Sequence, residues 1–242
     1  MESPKSRSTD FSEMLDAMWR QHTQRAESEA LAAGFATVVE YQAHAAKLDA
    51  LRAEAEAAHE RQRRVERILA QVGPRITDDV AARIRAGAGL TDTAAHVVVT
   101  AWLATDTPAL IVSGGTGSGK TVAAIRAMEQ HTRPQFLRAL RIGAHFERWS
   151  ADREDGTEPI DFHADLIVID DLGQEPTEDR RAMPALEEVL DQRQSARTRT
   201  LITTNLNADQ IRDRYSERIR SRLAQIGSFR ALSAADMRRR RA

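Results

Sequence analysis

The chain has 242 residues, 41% hydrophobic and 29% charged, which suits a globular protein with a real core and fits two unequal parts better than one. A formal net charge of −1 argues against a protein that coats nucleic acid by bulk charge and leaves only a local basic groove open. With no cysteine, disulfides and thiolate-held zinc are excluded, and no apolar stretch is long enough for a bilayer, so a cytoplasmic protein without a membrane partner is expected.

Phe11, Met14, Leu15, Met18 and Trp19 fall at i, i+3, i+4, i+7 and i+8, on one face of a helix. Asp10, followed three residues later by Glu13, supplies a capping box with Asp as the cap. Gly34 breaks or bends this helix near its end. A longer helix is expected over residues 36–72. There Leu48, Leu51, Ala55, Ala58, Gln62, Val65, Leu69 and Val72 alternate by three and four, a heptad seam interrupted by one polar residue. The two helices are expected to pair as an antiparallel hairpin. Gly73-Pro74 ends the region, because Pro cannot continue a helix. The boundary is placed there, giving an N-terminal helical region over residues 1–72 and a second domain over residues 73–242.

Beyond residue 75 short apolar runs alternate with amphipathic stretches. Strands are expected over residues 109–112, 136–142, 166–169, 200–203 and 228–232, with helices over residues 120–131 and 180–195. Strand–helix alternation predicts an α/β fold, a mostly parallel sheet covered by helices on both faces. The chain closes on a basic run, residues 238–241.

Gly114-Gly115-Thr116-Gly117-Ser118-Gly119-Lys120-Thr121 matches G-x-x-x-x-G-K-[ST] in full. Glycines let backbone N–H groups curl around phosphates, and the helix starting near Lys120 points its positive end at them. Lys120 is placed for the β- and γ-phosphates of ATP and Thr121 for Mg²⁺. An expected strand before the motif and an expected helix after it supply the context the motif requires. About fifty residues on, Leu166-Ile167-Val168-Ile169-Asp170-Asp171 reads as a buried strand ending in two acids, the Walker B arrangement. Asp170 is expected to hold the Mg²⁺ shell, through water, and Asp171 to orient or activate the attacking water. A third strand ends Thr203-Thr204-Asn205, and its Asn can contact the γ-phosphate or that water.

Together these residues resemble the DnaC/DnaI/IstB branch of the AAA+ ATPases. The resemblance rests on Asp170-Asp171-Leu172-Gly173, on residues 200–206 ending Thr-Thr-Asn-Leu, and on Glu217-Arg218-Ile219-Arg220-Ser221-Arg222-Leu223. It covers about residues 75–238, and the N-terminal helices carry no part of it. It implies an AAA+ P-loop ATPase domain with Asn205 as sensor 1. It also implies that Arg222 is an arginine finger reaching a neighbouring subunit's ATP site, with Arg218 as runner-up. Arg238 matches sensor 2, a contact to the phosphates in the same subunit. In this branch an inserted helix near the second strand helps bind single-stranded DNA. Residues 143–150 lie at that place, where Phe146, Arg148 and Trp149 are read either as stacking and phosphate groups or, for the two aromatics, as core.

The branch holds helicase loaders and transposase helpers. The helical N-terminus with its Met/Phe/Trp face favours capture of a protein partner. The resemblance therefore implies a loader that grips a DnaB-type replicative helicase, self-associates into a ring or spiral, and delivers the helicase onto single-stranded DNA. An IstB-like helper in target-DNA selection is the alternative. A small-molecule P-loop kinase leaves the Thr-Thr-Asn tip and the distal Ser-Arg-Leu segment without a role, and hydrolysis stimulated by single-stranded DNA would count against a coiled-coil scaffold that merely binds ATP.

Overall fold

The computed structural model describes the backbone of residues 7–87, 93–146 and 159–232, and the side chains within those spans except 7–18 and 146. Two compact units are present, residues 1–60 and 61–242.

The first unit contains α1 (Arg7–Ala32) and the N-terminal part of α2 (Val38–Val72). Between them Gly34 adopts φ +81°, a left-handed conformation that glycine accepts without strain, so it ends α1 as the sequence implies. Phe35 fixes the turn: its N–H donates to the Ala30 carbonyl at 2.9 Å and its ring packs against Tyr41 and His44. The expected seam divides in two. Leu48, Leu51, Ala55, Ala58 and Gln62 are exposed, whereas Val65, Leu69 and Val72 are buried. The apolar spacing is the same along the whole helix; only its last two turns meet a core. The face formed by Phe11, Met14, Leu15 and Met18 lies outside the described side chains.

In the second unit α2 ends in a short 3-10 turn (Gly73–Arg75), followed by α3 (Asp78–Arg85) and α4 (Ala94–Leu103). Thr77 and Thr93 cap these helices, each accepting a backbone N–H through its side chain. Then come β1 (Ala109–Ser113), α5 (Lys120–Met128), β2 (Pro134–Arg138), α6 (Ile142–Phe146), β3 (Leu166–Leu172), α7 (Ala182–Ala196), β4 (Arg199–Thr204), α8 (Ala208–Arg214), α9 (Glu217–Ile226) and β5 (Gly227–Ala231). The strands form one parallel sheet in the order β2-β3-β4-β1-β5.

Strand side chains alternate between faces, so each strand feeds two cores. Leu110, Val112, Leu166, Val168 and Leu201 pack with α4, α5 and the end of α2. Ile111, Ile167, Ile169 and Ile202 pack with α7 and α9. Burial of Val65, Ile68, Leu69 and Val72 ties α2 to this unit, each side chain contributing about 1.5–3 kcal/mol. The edge strand β2 is shielded at one point, where the Phe136 N–H donates to Gln71 Oε1 at 2.8 Å.

One expected strand is shorter than its apolar run. Residues 136–142 are expected to be extended, but β2 stops at Arg138 and the chain turns into a 3-10 segment and α6. The cause is the neighbour: β2 pairs with β3 only as far as Asp170, where β3 breaks register. Beyond that point an extended backbone has no ladder to join.

Candidate functional site

The glycine loop, residues 114–119, lies between β1 and α5, at the C-terminal edge of the sheet. Ser113 is buried at the end of β1, its hydroxyl donating to the Leu206 carbonyl at 2.6 Å. Gly117 and Gly119 turn the loop with φ +79° and +85°. Gly119 also lies so close to Thr93 that an added Cβ would sit 2.9 Å from its methyl carbon. Position 119 therefore requires glycine for both reasons, conformation and space.

Lys120, at the first position of α5, is buried and folds back across its own loop. Its Nζ donates to the carbonyls of Gly114 (2.7 Å) and Gly115 (3.0 Å), to Ser118 Oγ (3.3 Å) and to Asn205 Oδ1 (2.9 Å). Burial lowers its pKa, and the charges of Asp171 and Asp170 pull the other way. Thr121 follows, donating to the two Asp170 oxygens at 3.1 and 3.3 Å.

Asp170 is almost wholly buried. Burial pushes its carboxyl above the usual range; a hydrogen bond from the Thr203 hydroxyl (2.7 Å) opposes that, and the neighbouring Asp171 charge adds to it. Asp171 adopts φ +58°, uncommon outside glycine but tolerated by Asp. The ladder between β3 and β4 shifts register across this point, between Ile169 and Leu172. Such an irregularity re-aims a side chain at a strand end. The Asp171 N–H, freed from the ladder, donates to Thr203 Oγ1 at 2.9 Å. Thr203 thus serves both acids, accepting from one and donating to the other.

These strands stand in the order the chemistry needs. β4, which leads into Asn205, runs between β1 with its glycine loop and β3 with its acids. The fold is a five-stranded parallel sheet flanked by helices, with the glycine loop between β1 and α5. Gly114 to Thr121, Asp170, Asp171 and Asn205 come together at one edge of that domain, as the motifs imply. The donor set fits a magnesium nucleotide: a hydroxyl and a carboxylate already in contact, acids nearby, and one ammonium against the loop. Mg²⁺ keeps several waters and needs only one or two protein carboxylates beside the phosphates. Among the described residues no cluster of three or more metal-ligating side chains is present.

Arg222 is placed elsewhere. It lies on α9 and pairs with Asp191 of α7, its Nη2 at 3.5 Å from Oδ2 and its Nε closer still. Arg218 also reaches Asp191, at 3.3 Å, and Glu187 at 3.5 Å. Among the described residues no hydrogen bond links either arginine to Lys120, Asp170, Asp171 or Asn205. Phe146, Arg148, Trp149 and Arg238 lie outside the residues whose side chains are described.

Two residues of the site are not apparent from the motifs. Thr203 is one. Arg75 is the other: its Nη2 lies 3.2 Å from Asp170 Oδ2 and still closer to Asp171 Oδ2, and its Nε lies 3.3 Å from Asp170 Oδ2. The place of Thr203, one strand over from Asp170, is a signal that could have found it. Nothing local in the sequence marks Arg75.

No family model and no curated protein matches the chain. Solved structures do. A DnaC helicase loader aligns at 18% identity with a TM-score of 0.43, covering 65% of this chain and 92% of that one. DnaI aligns at 19% with a TM-score of 0.45, covering 62% and 88%. A DNA replication initiation factor aligns at 17% with a TM-score of 0.45; the match spans 56% of this chain and less than half, 44%, of that one. No helix among the described residues is long and apolar enough to cross a membrane.

Proposed function

We propose that the protein is an ATP-dependent loader that binds a replicative hexameric DNA helicase and delivers it onto single-stranded DNA. In this reading ATP with Mg²⁺ is held by Gly114, Gly115, Thr116, Gly117, Ser118, Gly119, Lys120 and Thr121, with Asp170 in the metal shell. Asp171 activates the attacking water, and Asn205 senses the γ-phosphate. Arg222 acts on a neighbouring copy's site, Arg238 on its own, and residues 1–72 grip the helicase while residues 73–242 carry out hydrolysis.

One observation supports the loader reading over the transposase helper. Of the seven large exposed hydrophobic side chains among the described residues, five (Trp19, Leu31, Val39, Leu48 and Leu51) lie in the first unit. Exposed apolar side chains on these helices, a Trp among them, suit a protein partner, whereas the second unit keeps most of its apolar residues inside. The test uses the full chain with a purified DnaB-type helicase. A stable complex, and ATP hydrolysis stimulated by single-stranded DNA, are expected. Hydrolysis stimulated only by duplex DNA, with no helicase complex, overturns the loader in favour of the helper.

A further inference from the structure

The Asp170–Asp171 pair carries a cation of its own. Arg75 spans both acids, although it sits ninety-five positions before the first. Its position is built rather than incidental. Gly73 takes φ +56° and Pro74 occupies the first turn of the 3-10 segment, which fixes the path of the chain. Val72 is buried on one side and Ile76 packs against the same core on the other, so the arginine between them is anchored at both ends. Its side chain remains 29% exposed, which leaves a route back to water.

The chemistry of the two claimants is incompatible. A metal shell organised by Asp170 needs the carboxylate that Arg75 engages. A guanidinium does not give up its proton, so raising the pH cannot remove the competition. Only displacement can. We propose that Arg75 is a cis latch on the metal shell: it holds Asp170 and Asp171 in the resting protein, and magnesium nucleotide must displace it to organise the site. This rests on the P-loop reading of Lys120, Thr121 and Asp170. Arg75 is a positioning residue; it acts through the acids and not on the reacting atoms.

The test is metal affinity, measured on the full chain as wild type, Arg75→Gln and Arg75→Ala. Mn²⁺ alone, followed by electron paramagnetic resonance without nucleotide, reports the acids directly. Both variants are expected to bind Mn²⁺ about tenfold more tightly, on the scale of one charge-assisted hydrogen bond that no longer competes. A fluorescent ATP analogue titrated in Mg²⁺ is expected to tighten in parallel, while its binding in EDTA does not tighten. Unchanged or weaker Mn²⁺ binding overturns the latch. Weaker binding of the magnesium analogue also overturns it, by making Arg75 a nucleotide ligand. Failure of both variants to fold, seen in circular dichroism, overturns it too, by making the contact a structural bridge. If the wild type binds no analogue at all, the P-loop reading fails instead, and the Mn²⁺ measurement still decides the latch.

Discussion

Lys120 Nζ and Asn205 Oδ1 lie 2.9 Å apart, joining the start of α5 to the residue that follows β4. The hydrogen bond links the cation of the glycine loop to the polar group assigned to sense the γ-phosphate. The bond occupies the amide oxygen of Asn205, an acceptor, and leaves its Nδ2 as the group able to donate to a phosphate oxygen.

Lys120→Ala should therefore abolish tight ATP binding. Removing a charge-assisted hydrogen bond to a phosphate costs about 1.5–3 kcal/mol, or more than tenfold in affinity. The fold should survive, because the vacated partners Gly114 and Gly115 are loop carbonyls at the site's rim. Calorimetry that returned wild-type affinity would sink the assignment.

Asp171→Asn should retain ATP and Mg²⁺ binding and slow hydrolysis by about 10²–10⁴-fold, the usual worth of a positioned general base. Asn is chosen because it accepts φ +58° almost as well as Asp. Equal loss of binding and turnover would assign Asp171 to the metal instead.

Thr203→Val keeps the volume of a buried residue and removes both of its hydrogen bonds, to Asp170 and from the Asp171 N–H. Leaving such groups unsatisfied costs about 1–3 kcal/mol each. A lower urea midpoint and weaker Mg²⁺-ATP binding are expected together. An unchanged midpoint would mean that water replaces the hydroxyl without penalty.

Arg222→Ala and Lys120→Ala subunits should each be inactive alone and regain some ATPase when mixed. The finger of one then serves the intact site of the other. Absence of recovery at every mixing ratio would leave the Arg222–Asp191 pair as a structural tie between α9 and α7.

Trp19→Ala should weaken helicase binding by about 2–3 kcal/mol, the value of burying one large aromatic, while ATP affinity stays constant. Trp19 is 72% exposed, so little stability is at stake. Wild-type helicase affinity in this variant would move the docking face elsewhere.

How far the sequence can be read depends on how local each signal is. The glycine loop, Lys120 and Thr121 are contiguous, so spacing alone identifies them. Asp170 and Asn205 each follow an apolar or threonine-rich run that reads as a strand, and the βαβ pattern places those strands side by side. Arg75 and Thr203 act across the fold. One is an arginine among many, and the other is a threonine inside a strand rich in them. The division of α2 is illegible for a different reason. Leu48 and Leu69 occupy the same kind of seam position, and periodicity cannot say which of them meets a core. The end of β2 is hidden because it is set by β3, not by its own residues.

Arg193 lies at the far end of the same two strands, completely buried, with burial pulling its pKa down to about 10. Its guanidinium donates to the carbonyls of Ala164 (2.7 Å), Phe162 (3.3 Å) and Arg199 (2.5 Å), and its Nε to Thr200 Oγ1 (3.3 Å). It grips the approach to β3 and the start of β4, while Thr203 bolts their other ends together. Held at head and foot, the two strands form a single spar that carries Asp170 and leads into Asn205. Lysine could not stand in for Arg193, since one ammonium with three donors cannot span acceptors spread over so wide a fork. Asp170 and Asn205 therefore stand at the tip of a strand pair tied at both of its ends.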